Sequence, residues 1–104
     1  MTDVFKAIAD PTRREILLSL AKNPENVNTI SEKFNMSRPA VSKHIKILSD
    51  NKLVRIETDK SDNRQRNCYV QLEALSEVNV FIKQLQQFWE SKLDGLGNYL
   101  NTIE

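Results

Sequence analysis

The sequence predicts a mainly helical domain carrying one β-hairpin, in the order α-α-α-α-β-β-α. Three observations carry that expectation. Apolar residues recur at helical spacing through the first half of the chain; the period then changes to alternation around Val54 and again around Cys68; and a heptad-like stripe follows from Leu75 onward.

Each element has its own signal. Val4, Phe5 and Ile8 form a short apolar stripe, the first helix. Asp10-Pro11 reads as an N-cap followed by proline at the first helical position, where a missing N–H costs nothing, so a second helix starts there. Ile16, Leu17 and Leu20 continue it until Asn23-Pro24 stops the run. Thr29-Ile30-Ser31-Glu32 has capping-box spacing and predicts a short third helix, capped by Thr29 and ending near Asn35. Ser37 is a good N-cap for the fourth, in which Val41, Ile45 and Leu48 fall at i, i+4 and i+7 and which runs to about Asn51. Val54 and Ile56 alternate with Arg55 and Glu57, Asp59-Lys60-Ser61-Asp62-Asn63 is turn chemistry, and Cys68 and Val70 alternate with Asn67, Tyr69 and Gln71. The stretch from Glu73 to Thr102 places Leu75, Val78, Ile82, Leu85, Trp89, Leu96, Tyr99 and Ile103 at heptad spacing, interrupted at Lys92, and predicts one long helix. Phe81, Phe88, Leu93 and Leu100 widen the stripe beyond a two-stranded seam, and Gly95 and Gly97 weaken its last turns.

Length and composition set the bounds. At 104 residues, 39% apolar and 28% charged, the chain is expected to be a single domain over residues 1–104 with a real core, unlike collagen or a disordered segment. Its apolar runs fall far short of the roughly 20 residues that span a bilayer, and its first residues do not read as a signal peptide, so no membrane partner is expected. Cys68 is the one cysteine and has no internal disulfide partner, which favours a reducing, cytoplasmic setting.

Charge is unevenly distributed. The net formal charge is only +1. Residues 37–70, however, hold eight of the fifteen Lys and Arg, a local excess of the kind that a polyanion partner requires. From Thr29 to Asn51 the short helix, the Asn35-Met36-Ser37 turn and the longer helix have a helix-turn-helix plan. Arg38, Ser42, Lys43 and Lys46 occupy the side opposite the apolar stripe. Arg38 suits guanine N7 and O6, Ser42 suits either base type, and Lys43 and Lys46 suit phosphates. Amphipathic helices often carry such solvated charges, but Lys60, Arg64 and Arg66 at the hairpin add cations where a wing would track a DNA backbone or enter the minor groove, and the two features together favour DNA contact.

The chain resembles the ArsR family of bacterial winged helix-turn-helix repressors over nearly its whole length. The resemblance lies in Phe5-Lys6-Ala7-Ile8-Ala9-Asp10-Pro11-Thr12-Arg13-Arg14, in Met36-Ser37-Arg38-Pro39-Ala40-Val41-Ser42-Lys43-His44 and in Leu53-Val54. Arg64-Gln65-Arg66 before Cys68, and Phe88-Trp89-Glu90 before Leu93-Asp94, resemble a subgroup often encoded beside START-like (SRPBCC) proteins. The resemblance implies a homodimer joined by its first and last helices that binds a palindromic, inverted-repeat operator in double-stranded DNA and represses transcription. Its reading helices would stand roughly 34 Å apart, one turn of DNA. The expected DNA contacts are Ser37, Arg38, Pro39, Ser42, Lys43, His44, Lys46, Lys60, Arg64 and Arg66; the expected dimer contacts are Val4, Phe5, Ile8, Leu75, Val78, Ile82, Leu85, Trp89 and Leu96.

The sequence departs from the metal-sensing members of that family. Their thiolate motif is absent where Asn28-Thr29-Ile30-Ser31-Glu32-Lys33 stands, and residues 73–104 contain no histidine to join Glu73, Glu77 and Glu90. No metal and no other cofactor is expected, which leaves an unidentified effector, a partner protein or the amount of the regulator itself as the source of control. His44 has two open roles, a phosphate contact or a hydrogen bond that holds the turn. Cys68 shares a phase with Val70 and is expected to be a buried, inert thiol rather than a redox switch. Arg13 and Arg14 are expected in surface or interhelical ion pairs, and Phe88 and Trp89 in a dimer core rather than a ligand cage. One histidine and one cysteine on separate elements, with no glycine-rich phosphate loop, give no catalytic constellation, so an enzyme is not expected. The alternative to DNA binding is a winged-helix module whose main partner is another protein.

Overall fold

Side-chain caps set the helix starts. The computed structural model describes residues 3–61 and 65–103, with side chains described through residue 93. Asp3 accepts from the Lys6 amide and begins α1 (Val4–Ala9); Asp10 accepts from the Arg13 amide and begins α2 (Pro11–Lys22). Ser37 accepts from the Ala40 amide and begins α4 (Arg38–Asp50). Helix α3 (Val27–Phe34) starts three residues earlier than its capping-box pattern predicts, because the Asn26 carboxamide takes the Thr29 amide at 2.8 Å. Thr29 is thus the third residue of the helix and not its cap.

The reason is a strand that local pattern does not reveal. Glu25–Asn26 form β1 and pair antiparallel with β3 (Arg66–Val70), Glu25 opposite Cys68 and Asn26 opposite Asn67. Extended backbone at Asn26 frees its side chain to turn forward and cap α3. The expected hairpin is therefore part of a three-stranded sheet in the order β1-β3-β2, with β2 at Val54–Thr58 and its register running from Val54–Val70 to Thr58–Arg66. Beyond the ladder, the Asp59 amide donates to Gln65 O and Asp59 Oδ1 accepts from both the amide and the hydroxyl of Ser61, the turn chemistry anticipated there. A 3-10 turn at Glu73–Leu75 leads into α5 (Ser76–Ile103), which continues through Lys92 and the two glycines.

Two left-handed residues close the helices around the turn. Asn35, at φ 51°, ends α3, with the Met36 amide on Ser31 O and its own amide on Glu32 O. Lys52, at φ 60°, ends α4: its amide bonds Ser49 O while the Leu53 amide bonds Leu48 O. Leu48 and Leu53 are both wholly buried, the apolar contact that accompanies this type of cap.

The core gathers Ile16, Leu17 and Leu20 of α2, Ile30 of α3, Val41, Ile45 and Leu48 of α4, and Leu53, Val54 and Cys68 of the sheet. Ser19 and Glu25 lie under it: Glu25 Oε1 accepts from Ser19 Oγ at 3.0 Å and from Lys33 Nζ at 2.9 Å, which ties α2, β1 and α3 together. Burial pushes the Cys68 thiol up to about 11, so at neutral pH it stays protonated, as a buried thiol should.

Arg13 and Arg14 depart from the expected ion pairs. Arg14 donates to Ile8 O and Ala9 O. Arg13 donates Nε–H to Ala7 O at 2.7 Å and Nη2–H to Lys6 O at 3.0 Å. Both guanidiniums thus satisfy carbonyls at the end of α1, a six-residue helix too short to hold its own last turn.

Helix α5 is longer than the body it leaves. At 1.5 Å per residue its 28 residues span about 42 Å, and the Cα radius of gyration, 19.0 Å, exceeds the roughly 13 Å of a compact chain of this length. Phe5 of α1 meets Phe81 of α5 edge to face at 5.4 Å, and Leu75 and Val78 pack against the core. Further along, Ile82, Leu85, Phe88 and Trp89 are exposed, Phe88 at 75% and Trp89 at 63%.

Candidate nucleic-acid interface

The first turns of α4 stand clear of the body. Val41, Ile45 and Leu48 anchor the helix in the core, which leaves Arg38, Pro39, Ser42, Lys43 and Lys46 exposed on the other side. Ser37 fixes where the helix begins. Ser31, by donating its hydroxyl to Met36 O, fixes the turn between α3 and α4.

A groove of about 580 Å³ brings three parts of the chain together: Arg38, Pro39 and Ser42 from α4, Asn26, Val27 and Asn28 from the start of α3, and Gln65 and Arg66 from the base of the hairpin. Arg38, Ser42 and Arg66 were expected at such a site. Asn26, Asn28 and Gln65 were not, since only the pairing of β1 with β3 brings the start of α3 to the foot of the hairpin. A second, shallower depression on the other flank of α4 is lined by Pro39, Ala40, Ser42, Lys43 and Lys46.

Charge on this side is largely available. Among the described residues neither Arg38 nor Lys43 has an ion-pair partner. Lys46 meets Asp50 at 3.1 Å one turn on, an exposed pair of the kind that contributes only about 0.3–0.5 kcal/mol and yields easily to a phosphate. On the hairpin, Arg55 lies 4.8 Å over the Tyr69 ring opposite it and pairs with Glu57, which stiffens the ribbon. Lys60 and Arg66 are exposed at either end of the hairpin loop, and Arg64 lies outside the described residues.

His44 is half-buried, with Nδ1 3.3 Å from Arg13 Nη1. Arg13 can only donate, so in this contact His44 Nδ1 is the acceptor. This hydrogen bond goes to α2 and not to the turn between α3 and α4: it links α4 to α2 and, through Arg13, to the end of α1. Asp10 lies close to the same pair. The Arg13 backbone N–H, reinforced by the Arg13 charge, holds the Asp10 carboxyl below the usual carboxylate range.

A helix-turn-helix whose second helix presents its first turns beside a cationic hairpin defines a winged helix-turn-helix transcription regulator. The profile of the bacterial regulatory protein arsR family matches residues 10–55, from the cap of α2 into β2. The chain belongs to the ArsR family. It is 44% identical over 54 residues to the transcriptional repressor SdpR of Bacillus subtilis, a match that covers 52% of this chain and 60% of that repressor's length. It is 31% identical over 98 residues to the HTH-type transcriptional regulator Rv2034 of Mycobacterium tuberculosis, which covers 94% of this chain and 86% of the relative. Among solved structures, an ArsR family transcriptional regulator, RHA00566, superposes with a TM-score of 0.74 at 34% identity, covering 84% of this chain and 87% of its own. The chain is accordingly a DNA-binding transcription regulator and not an enzyme. Among the described residues no helix is long and apolar enough to cross a membrane, and no three His, Cys, Asp or Glu side chains gather to hold a metal ion.

Proposed function

We propose that the chain is a single-domain repressor that binds an inverted-repeat operator as a homodimer in the cytoplasm. The observation that carries this reading is the groove between α4 and the hairpin, in which Arg38 and Arg66 face one space from two elements. A major groove about 12 Å wide admits the first turns of α4. Ser37, Arg38, Pro39 and Ser42 then meet base edges, Lys43 and Lys46 meet phosphates, and Lys60, Arg64 and Arg66 follow the backbone beside the wing.

The exposed apolar side of α5 supports the dimer. Among the described residues Ile82, Leu85, Phe88 and Trp89 are large apolar side chains left exposed on a helix that projects from the body. Val4 is already buried within the chain, and Leu75 and Val78 are half-buried against the core, so the contact surface moves outward along α5 with Phe5 and Ile8 at its edge. Leu96 lies beyond the described side chains. Repression follows the likeness to SdpR and needs no chemistry beyond occupancy of a promoter.

The test is selection of the purified chain on a random duplex library, with the winner titrated at several salt concentrations. An enriched inverted repeat with half-sites about one helical turn apart, bound more weakly as salt rises, is the expected result. A pool without enrichment, bound weakly even at low salt, contradicts it and leaves a protein partner as the main ligand.

A further inference from the structure

Two depressions flank the first turns of α4, and both are lined by Pro39 and Ser42. The two residues stand three apart on the helix and so form the ridge between the depressions. Arg38 lies on the hairpin side of that ridge; Lys43 and Lys46 lie on the other. An apolar residue and a hydroxyl therefore lie between the two depressions, with the cations on the flanks. Ala40, half-buried and without polar atoms on its side chain, lines the same far flank.

This order constrains what the helix can read, granted the DNA-binding function proposed above. A helix that enters a major groove along its ridge puts the ridge residues on base edges and the flanking cations nearer the two backbones. Proline offers no hydrogen bond from ring or backbone nitrogen, and alanine none from its side chain. The major-groove feature that such a surface recognises is the C5-methyl group of thymine, the apolar point among the donors and acceptors of the four base pairs. We infer that Pro39, with Ala40 beside it, reads thymine methyl groups, so that each operator half-site carries a thymine next to the bases met by Arg38 and Ser42. Pro39 also suits the first turn of any helix, and the test below separates that role from recognition.

The experiment uses the wild-type chain and an operator selected from a random library, with each thymine replaced in turn by deoxyuridine. That exchange keeps every base-pair hydrogen bond and deletes one methyl. One or two positions per half-site should lose about fourfold in affinity each, the factor expected for one methyl-sized group no longer buried, and about fifteenfold when both half-sites are changed. The remaining thymines should be indifferent. A P39S variant, which keeps a helix-compatible first turn but presents a hydroxyl, should bind the thymine and uracil operators with equal affinity. Uniform indifference of the wild-type chain to uracil overturns the inference, as does a P39S chain that still prefers thymine. If the library yields no operator at all, the DNA-binding proposal itself fails, which is distinct from an operator that is found and proves indifferent to its methyl groups.

Discussion

Arg13→Ala tests a side chain that bonds three residues on two helices. Its guanidinium makes three contacts: a part-buried bond to Ala7 O at 2.7 Å, an exposed one to Lys6 O at 3.0 Å, and a long one to His44 Nδ1 at 3.3 Å. A hydrogen bond from a charged donor contributes about 1.5–3 kcal/mol where its loss strands a buried acceptor, and less where water replaces it. Ala7 is wholly buried, so the first bond carries most of the effect and the other two add a fraction each. The sum is about 2–3 kcal/mol. For a domain of this size each kcal/mol moves the midpoint by about 4–8 °C, so thermal unfolding followed by circular dichroism should fall by roughly 10–20 °C at equal chain concentration. Arg13→Lys should fall by an intermediate amount, since an ammonium lacks the fork that reaches α1 and α4 together. A midpoint lowered by less than about 4 °C in Arg13→Ala would refute the claim that this side chain joins α1 to the body.

Four further outcomes follow from particular residues. Lys52→Gly should raise stability by about 0.5–1 kcal/mol in denaturant titrations, because Lys52 holds a left-handed conformation that a side chain resists. Cys68 should resist a thiol reagent at pH 7–8 in the folded chain and react only as the chain opens, since its thiol is held up at about 11 and is fully buried; fast stoichiometric labelling without unfolding would contradict that burial. Trp89→Glu should shift sedimentation from dimer toward monomer, and an intact dimer would move the interface elsewhere. Arg38→Ala should cost about 1–3 kcal/mol on the selected operator and relax one base position, whereas Lys46→Ala should weaken all sequences alike and lower the salt slope by about one.

What the sequence made legible was whatever depends on near neighbours. Asp10 and Ser37 cap the helices they were expected to cap, and Val41, Ile45 and Leu48 are buried as their spacing requires. What it hid depends on pairings across long stretches of chain. The Asn26 cap follows from pairing with Asn67, the His44 contact reaches Arg13 across thirty-one positions, and Asn28 and Gln65 line one groove because β1 joins the sheet. Arg13 and Arg14 were misjudged for the same reason: carbonyls at the end of a short helix leave no mark on composition, while nearby carboxylates do. The stripe on α5 was legible as a stripe, but its spacing did not reveal that Val78 faces the body while Leu85 and Trp89 face away. At the interface itself, the cations of α4 were visible from charge and period, and the Pro39–Ser42 ridge that separates them was not.

The central claim is that two reading helices held at a fixed distance engage two half-sites together. The most direct measurement inserts five base pairs, half a helical turn, between the half-sites of the selected operator and compares its affinity with that of the parent and of a single half-site. A rigid dimer should bind the insertion variant no better than the single half-site, because the second half-site has moved to the opposite face of the duplex. An insertion variant bound as tightly as the parent would contradict the account.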